Sequence, residues 1–391
     1  MSGPVVVLAG GTGGAKLARG MLDVIGDELV VVANTADDVE IYGAYVSPDP
    51  DLVTFWLADR IDERGWGLDG DTFEVMNGLR ELRTEVWFNL GDRDLAVGLE
   101  RARALDAGDR LTDAQASISR AFGVRARVLP MSDQPVRTRV TAQGRNWPFQ
   151  EFMIKGRGEG PIESYDFRGA RAARPTPEVL EAIAAARAIV IGPSNPVISI
   201  GPILALPGLR EAVTQSGAPV VAVSPLVRGA VLKGPTAVFM QAAGLSVDAD
   251  GVVAAYAGLI DGLVSDQRAD GVPVLETEVL MDDPGRRRHL AQQTLAFALA
   301  LGREILEPRA AVYQQHTETI LELLDAGREG RLCHAAGFGG PAEMLFARQR
   351  EQEFELIDHS LSLLKDTVTR RARFAKFGNI RPKCLSWRAC R

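Results

Sequence analysis

The first 38 residues constrain this chain more than any other stretch. Val5-Val6-Val7-Leu8 is a short β-branched run of the kind buried inside a parallel sheet. A glycine-rich turn follows, Ala9-Gly10-Gly11-Thr12-Gly13-Gly14-Ala15-Lys16, and then Leu17, Leu22 and Ile25 recur at roughly helical spacing. A second apolar run, Leu29-Val30-Val31-Val32-Ala33, ends in Asn34-Thr35-Ala36-Asp37-Asp38. Strand, turn, helix and strand make a βαβ unit, which predicts parallel strands covered by helices. The loops after such strands lie at the carboxyl edge of the sheet, where open α/β folds bind their ligands.

The pattern returns further along. Val86-Trp87-Phe88-Asn89-Leu90 reads as a strand closing in Gly91-Asp92-Arg93-Asp94, and the alternation around Val124 and Val128 predicts another before Met131-Ser132-Asp133. An alanine-rich helix from Val179 to Ala188 precedes Ile189-Val190-Ile191 and the loop Gly192-Pro193-Ser194-Asn195-Pro196, and Val220-Val221-Ala222-Val223 runs into Ser224-Pro225. Strands alternating with helices from residue 5 to about residue 225 predict one α/β domain with an insertion near residues 110–175. Phe149-Gln150-Glu151-Phe152 reads as a strand with alternating burial, and residues 312–325 and 341–365 read as amphipathic helices.

Charge and residue usage narrow the chemistry. Residues 302–391 hold 15 Lys/Arg against 12 Asp/Glu, so a chain of net charge −7 carries −10 on its first 301 residues. Cys333, Cys384 and Cys390 all lie in the last part, with three of the four histidines; the fourth is His289. A body without Cys or His before residue 289 must work with carboxylates, amides, hydroxyls, backbone N–H groups or a hard metal. Three cysteines build no disulfide framework, which points to a reducing cytoplasm. No apolar run reaches the ~18 residues of a membrane span, and residues 1–10 lack a basic stretch, so neither membrane nor secretory signal is expected. Nine basic residues and one acidic residue follow Leu364, read as a solvated tail rather than a nucleic-acid site.

Each carboxyl-edge loop has a functional reading and a bland one. The turn Gly10–Gly14 exposes N–H groups and the positive end of a helix dipole, which suits phosphate. It matches neither G-x-G-x-x-G, because Lys16 stands in place of the third glycine, nor a Walker loop, so its bland reading is a plain helix start. Asp37-Asp38 stand where a dinucleotide enzyme keeps one acid for a ribose. With Asp49 and Asp51 close behind, they read better as a Mg²⁺ site, since this ion takes one or two carboxylates together with substrate phosphates. The bland reading makes Asp38 and Asp49 caps of helices or turns. Asp92-Arg93-Asp94 is either a surface ion-pair network or a loop that positions a polar substrate. Arg137, close to Ser132-Asp133, is suited to clamping a phosphate. Ser194-Asn195, held between two prolines, either reads a base or phosphate or simply stiffens a turn.

In their order, LAGGTGGAKLARG, ANTADD, SPDPD, RGWG, LGDRDLA, LPMSDQPVRT, FQEF, IGPSNPVISIGPIL, AVSPL and LKGP resemble the 2-phospho-L-lactate transferase (CofD/FbiA) family of deazaflavin coenzyme F-420 biosynthesis. The resemblance spans about residues 4–300 and leaves residues 302–391 as an extension, helical and partly basic, of unassigned role. It implies a Rossmann-like three-layer α/β sandwich with a mostly parallel sheet over residues 1–301, commonly a homodimer. It implies an enzyme that takes a guanylyl-diphosphate-activated three-carbon acid, phospholactate or phosphoenolpyruvate. The phospho-acid moves to the ribityl hydroxyl of the deazariboflavin Fo, releasing GMP and forming F-420-0 or its dehydro form, with Mg²⁺ required. RGWG and LGDRDLA match bacterial forms and incline the reading towards phosphoenolpyruvate.

On this reading Asp37, Asp38 and Asp51 hold Mg²⁺, and Asp51 and Asp38 are the catalytic pair, Asp51 orienting or deprotonating the Fo hydroxyl. Gly10, Gly11, Thr12, Gly13, Gly14, Asn34, Asn89, Asp92, Arg93, Asp133, Arg137, Ser194 and Asn195 bind the substrates, with Ser194 and Asn195 on the nucleotide side. Phosphoryl transfer needs positioning and charge neutralisation more than a covalent nucleophile, which suits a body without Cys or His. Three positions depart from the family: Asn89 stands where some members have Lys, Pro148 where His is frequent, and Gln134 where an acid is frequent. The rival readings are an NAD(P)-dependent oxidoreductase and a non-catalytic nucleotide-binding regulator.

Overall fold

The structure is a computed structural model and describes residues 3–302. The chain divides into Met1–Ala310 and Ala311–Arg391, and the described residues belong to the first unit. The helices expected at 312–325 and 341–365, the basic tail and the three cysteines lie outside the described residues.

Seven strands, in chain order β1 (Val5–Ala9), β2 (Leu29–Ala33), β3 (Arg127–Pro130), β4 (Ala188–Ile191), β5 (Val220–Val223), β6 (Gly262–Ser265) and β7 (Val274–Glu276), form the central sheet. Their spatial order is β7-β6-β5-β4-β1-β2-β3. Every pairing is parallel, as the βαβ reading requires. From β3 to β6 this is the dinucleotide-binding order, and it reverses direction between β1 and β4, which opens a crevice at their carboxyl ends.

The all-apolar strands have a direct cause. β1 and β2 are buried at all five positions, because helices cover both faces. Alternate residues serve opposite cores. Val6, Leu8, Val30, Val32, Ile189 and Ile191 face one side, packed with the helices Pro177–Ala184 and Leu209–Gln215. Val5, Val7, Val31 and Val190 face the other, against α1 (Gly11–Ile25), α2 (Pro48–Leu57) and a helix over 284–302. Each such side chain contributes about 1.5–3 kcal/mol on burial, so the sandwich is stabilised from both layers. No described helix is long and apolar enough to cross a membrane.

Two excursions leave the sheet where one insertion was expected. Residues 34–126, between β2 and β3, carry α2, the hairpin Val39–Ile41/Ala44–Val46 and the helices Glu74–Glu81, Asp92–Asp106 and Leu111–Ala121. Residues 131–187, between β3 and β4, carry an antiparallel sheet of Arg145–Pro148, Arg137–Ala142 and Ile162–Arg168, in that order. The expected boundaries 110–175 thus enclose β3, an edge strand of the main sheet. Val86–Leu90 is no strand: Val86, Phe88 and Leu90 join a satellite core with Ala44, Val46, Met76 and Leu95 instead of entering a ladder. Phe149–Ile154 is a short helix rather than a strand. Pro148 at its N-cap ends the preceding strand, and Phe152 packs edge-on against Phe239.

Candidate functional site

The loops that follow β1 and β4 touch at the crevice. A Cβ on Gly13 would stand 2.0 Å from the Pro193 carbonyl oxygen, so only a hydrogen lets the glycine turn lie on the proline loop. The Gly10 N–H donates to Ser194 Oγ at 3.2 Å, and the Gly11 N–H donates to Asp49 Oδ1 at 2.7 Å. The amides of Thr12 and Gly13 meet no hydrogen-bond partner among the described residues and remain open donors at the start of α1.

Asp49 and Asp51 both lie in the first turn of α2, yet two residues along a helix are about 200° apart, so they serve different neighbours. Asp49 turns to α1 and Asn34. The Asn34 amide bridges two acids, donating to Asp37 Oδ2 at 3.1 Å and Asp49 Oδ2 at 3.0 Å, while its oxygen accepts from the Ala36 N–H at 2.9 Å. Asp38 Oδ1 accepts from Ser47 Oγ at 2.7 Å. This leaves Asp37 Oδ1 and Asp38 Oδ2 buried without a partner. The Gln150 amide donates to the Asp37 carbonyl at 3.1 Å, which brings the second excursion to the same point.

Asp37, Asp38 and Asp49 are each at most 6% exposed, and burial dominates their electrostatics. It pushes Asp37 well above the usual carboxylate range, helped by the charges of Asp49 and Asp38. It raises Asp38 to about 7 against the opposing charge of Arg137, and Asp49 to about 6 against the Gly11 N–H and Asn34. Buried acids of this kind take up either protons or a cation. Two unpartnered carboxylate oxygens fit a hard ion that draws its remaining ligands from substrate and water. No group of three or more His, Cys, Asp or Glu arranged to hold a metal occurs among the described residues.

The expected trio of Asp37, Asp38 and Asp51 is therefore not assembled. Asp51 is bound through both oxygens by Arg101, a fully buried guanidinium that also donates to the Tyr45 carbonyl at 3.0 Å and Gln115 Oε1 at 3.2 Å. A carboxylate held in that fork has both oxygens committed and anchors α2. Asp92 accepts from Thr72 Oγ1 and from the amides of Glu74 and Val75, which caps the helix Glu74–Glu81. Asp133 accepts from the amide and hydroxyl of Thr112 and from Arg110, at the start of the helix Leu111–Ala121. Asn89 is exposed beside Arg80, and Arg93 reaches the Asp69 carbonyl. Asp92 and Asp133 thus cap helix starts, which the spacing of their motifs did not show, while Asn89 and Arg93 lie exposed.

Others remain at the crevice. Arg137 donates to the Tyr45 hydroxyl at 3.1 Å and lies over its ring, on the Asp38 side. Asn195 Oδ1 accepts from Val197 N–H, while its Nδ2 is buried without a partner. Arg101, Gln115 and Tyr45 escaped the sequence reading. Arg101 and Arg103 stand two residues apart on opposite sides of the helix Asp92–Asp106, and residue type alone does not tell the buried guanidinium from the exposed one.

The strand order, the glycine turn on the proline loop and the buried acids beside it define a Rossmann-like α/β protein with its site at the topological switch point. The chain belongs to the 2-phospho-L-lactate transferase CofD family, whose model matches residues 5–289. It is similar to a 2-phospho-L-lactate transferase of Methanosarcina mazei, 41% identical over 266 residues, 68% of this chain and 87% of that one. A phosphoenolpyruvate transferase of Kitasatospora aureofaciens is 39% identical over 312 residues, 75% of this chain and 97% of that one. The protein is thus a transferase enzyme.

Proposed function

We propose that the protein transfers a phospho-three-carbon-acid from a guanylyl diphosphate donor to the ribityl hydroxyl of Fo, releasing GMP and forming F-420-0 or dehydro-F-420-0. The observation that carries this reading is the pair of buried, unpartnered oxygens, Asp37 Oδ1 and Asp38 Oδ2, beside the glycine turn. Relatives bear both transferase names, which supports phospholactate or phosphoenolpyruvate as the acid. Asp37 and Asp38 would hold Mg²⁺, which when bound neutralises charge on the donor's diphosphate.

The chain's own groups do the rest. The open amides of Thr12 and Gly13 take a phosphate oxygen. Asn34 sets the angle of Asp37 and ties it to Asp49, which holds the glycine turn in place. Arg137 offers a charge to the phosphoryl group from the Asp38 side. Arg101 and Asp51 position α2 and hence Asp49. Phosphoryl transfer has a loose transition state, so orientation of the Fo hydroxyl matters more than a strong base. A homodimer and a cytoplasmic location belong to the same reading.

The test is a mass-spectrometric assay of the full chain with Fo, Mg²⁺ and either phospholactyl- or enolpyruvoyl-diphosphoguanosine. GMP and a mass-shifted Fo from one donor are expected and name the acid. Folded protein that yields neither product from either donor would overturn the reading.

A further inference from the structure

Lys16, at the place where a dinucleotide turn would carry its third glycine, is half-buried and has no hydrogen-bond or ion-pair partner among the described residues. It lies four residues beyond Thr12, so both stand on one face of α1. Its Nζ is 5.6 Å from the centroid of the Trp56 ring, and Arg287 Cζ from the helix over 284–302 is 5.0 Å from the same centroid. Trp56 is 7% exposed, and its indole N–H is buried without a partner; so is Arg287 Nε. Thr12 adjoins the same wall, since a Cβ at Gly65 would stand 3.9 Å from Thr12 Cγ2 and 3.8 Å from Trp56 Cζ2.

Two cations on one indole repel each other, and no carboxylate among the described residues pairs with either. Of the acids whose charges reach this pair, Asp23 and Asp59 are engaged by Arg19, and Asp282 and Asp283 by Arg286. Lys16 is held below its ordinary range by burial and then by the charges of Arg287 and Lys233. Lys233 sits on the exposed loop that follows β5, at the carboxyl edge of the sheet. Unspent N–H donors and uncompensated positive charge, gathered beside the open amides of α1, suit an anion.

We propose that Lys16 and Arg287, gathered about Trp56, form an oxyanion subsite that takes a phosphate or carboxylate of the donor substrate. Assigning the anion to the donor rests on the transfer reaction proposed above; anion binding itself does not. The subsite lies on the α1 side of the glycine turn and needs no metal, unlike Asp37 and Asp38.

The experiment uses the full chain in EDTA at constant ionic strength, titrated calorimetrically with inorganic phosphate and, separately, with pyruvate. Saturable phosphate binding that weakens about tenfold or more in K16Q and R287Q, and returns in K16R, is expected, as for hydrogen bonds to a charged group. Binding of pyruvate alone with the same dependence assigns the subsite to the carboxylate and equally supports it. In turnover, K16Q is expected to raise the donor KM while largely preserving kcat and the KM for Fo. No saturable binding of either anion, or equal affinity in K16Q and the unsubstituted protein, overturns the proposal. Lys16-dependent phosphate binding in a protein that transfers nothing would leave the subsite standing and overturn the reaction instead.

Discussion

Arg101→Met isolates the buried ion pair on which the acidic turn of α2 rests. Arg101 is 0% exposed and Asp51 4%, and the guanidinium is also bonded to Tyr45 and Gln115. Removing the cation strands a carboxylate in the interior, at a cost of about 3–5 kcal/mol. Total stability of a domain is about 5–15 kcal/mol, so the loss is a large fraction. Unfolding entropy near 2.1 cal/mol/K per residue gives roughly 0.6 kcal/mol/K for a body of about 300 residues, and hence a drop of about 5–8 °C in Tm. Scanning calorimetry of the variant reads this directly. Replacing both partners, as R101M/D51L, is expected to recover most of the loss, because a buried pair nearly breaks even against apolar neighbours. An R101M protein melting within about a degree of the parent, or a double variant as unstable as the single, would refute the reasoning. D51N separates roles: an anchor loses stability and turnover together, whereas a base loses turnover alone.

D37N and D38N are each expected to raise the Mg²⁺ concentration for half-maximal rate at least about tenfold, read by metal titration of turnover; an unchanged requirement refutes their metal role. Metal-free stability follows the raised values of about 7 for Asp38 and about 6 for Asp49. The folded protein binds more protons than the unfolded chain across that window, so the contribution is full below about pH 4 and is lost as pH rises through about 6–7. Tm in EDTA is expected to fall from about pH 5 to about pH 8, with Mg²⁺ restoring it at the higher pH; a rising Tm would contradict the burial argument. Gly13→Ala, whose Cβ meets the Pro193 oxygen at 2.0 Å, is expected to cost about 3 kcal/mol or more in chemical denaturation. Gly11→Ala, at φ +64° with nothing within 4 Å, is expected to cost only about 1 kcal/mol; equal losses would refute the crevice geometry.

The four inner strands β1, β2, β4 and β5 were legible because they are buried on both faces, so each is an unbroken apolar run. The glycine turn, the acids after β2 and the proline loop after β4 were legible for a related reason: they follow those strands directly, and a parallel sheet puts all such loops on one edge. Where apolar residues were shared with a satellite core, as at Val86–Leu90, the same pattern misled, since a short run does not say what it packs against.

Partner choice belongs to the tertiary structure. Asp49 and Asp51 are two residues apart in one turn of α2, and nothing local tells the acid that meets Gly11 and Asn34 from the acid that meets Arg101. Arg101 is 50 residues from Asp51, and Ser194 is 184 residues from Gly10. A side chain's hydrogen bonds depend on which segments the fold brings within about 3 Å, and patterning along the chain reports only which face each residue turns to the core.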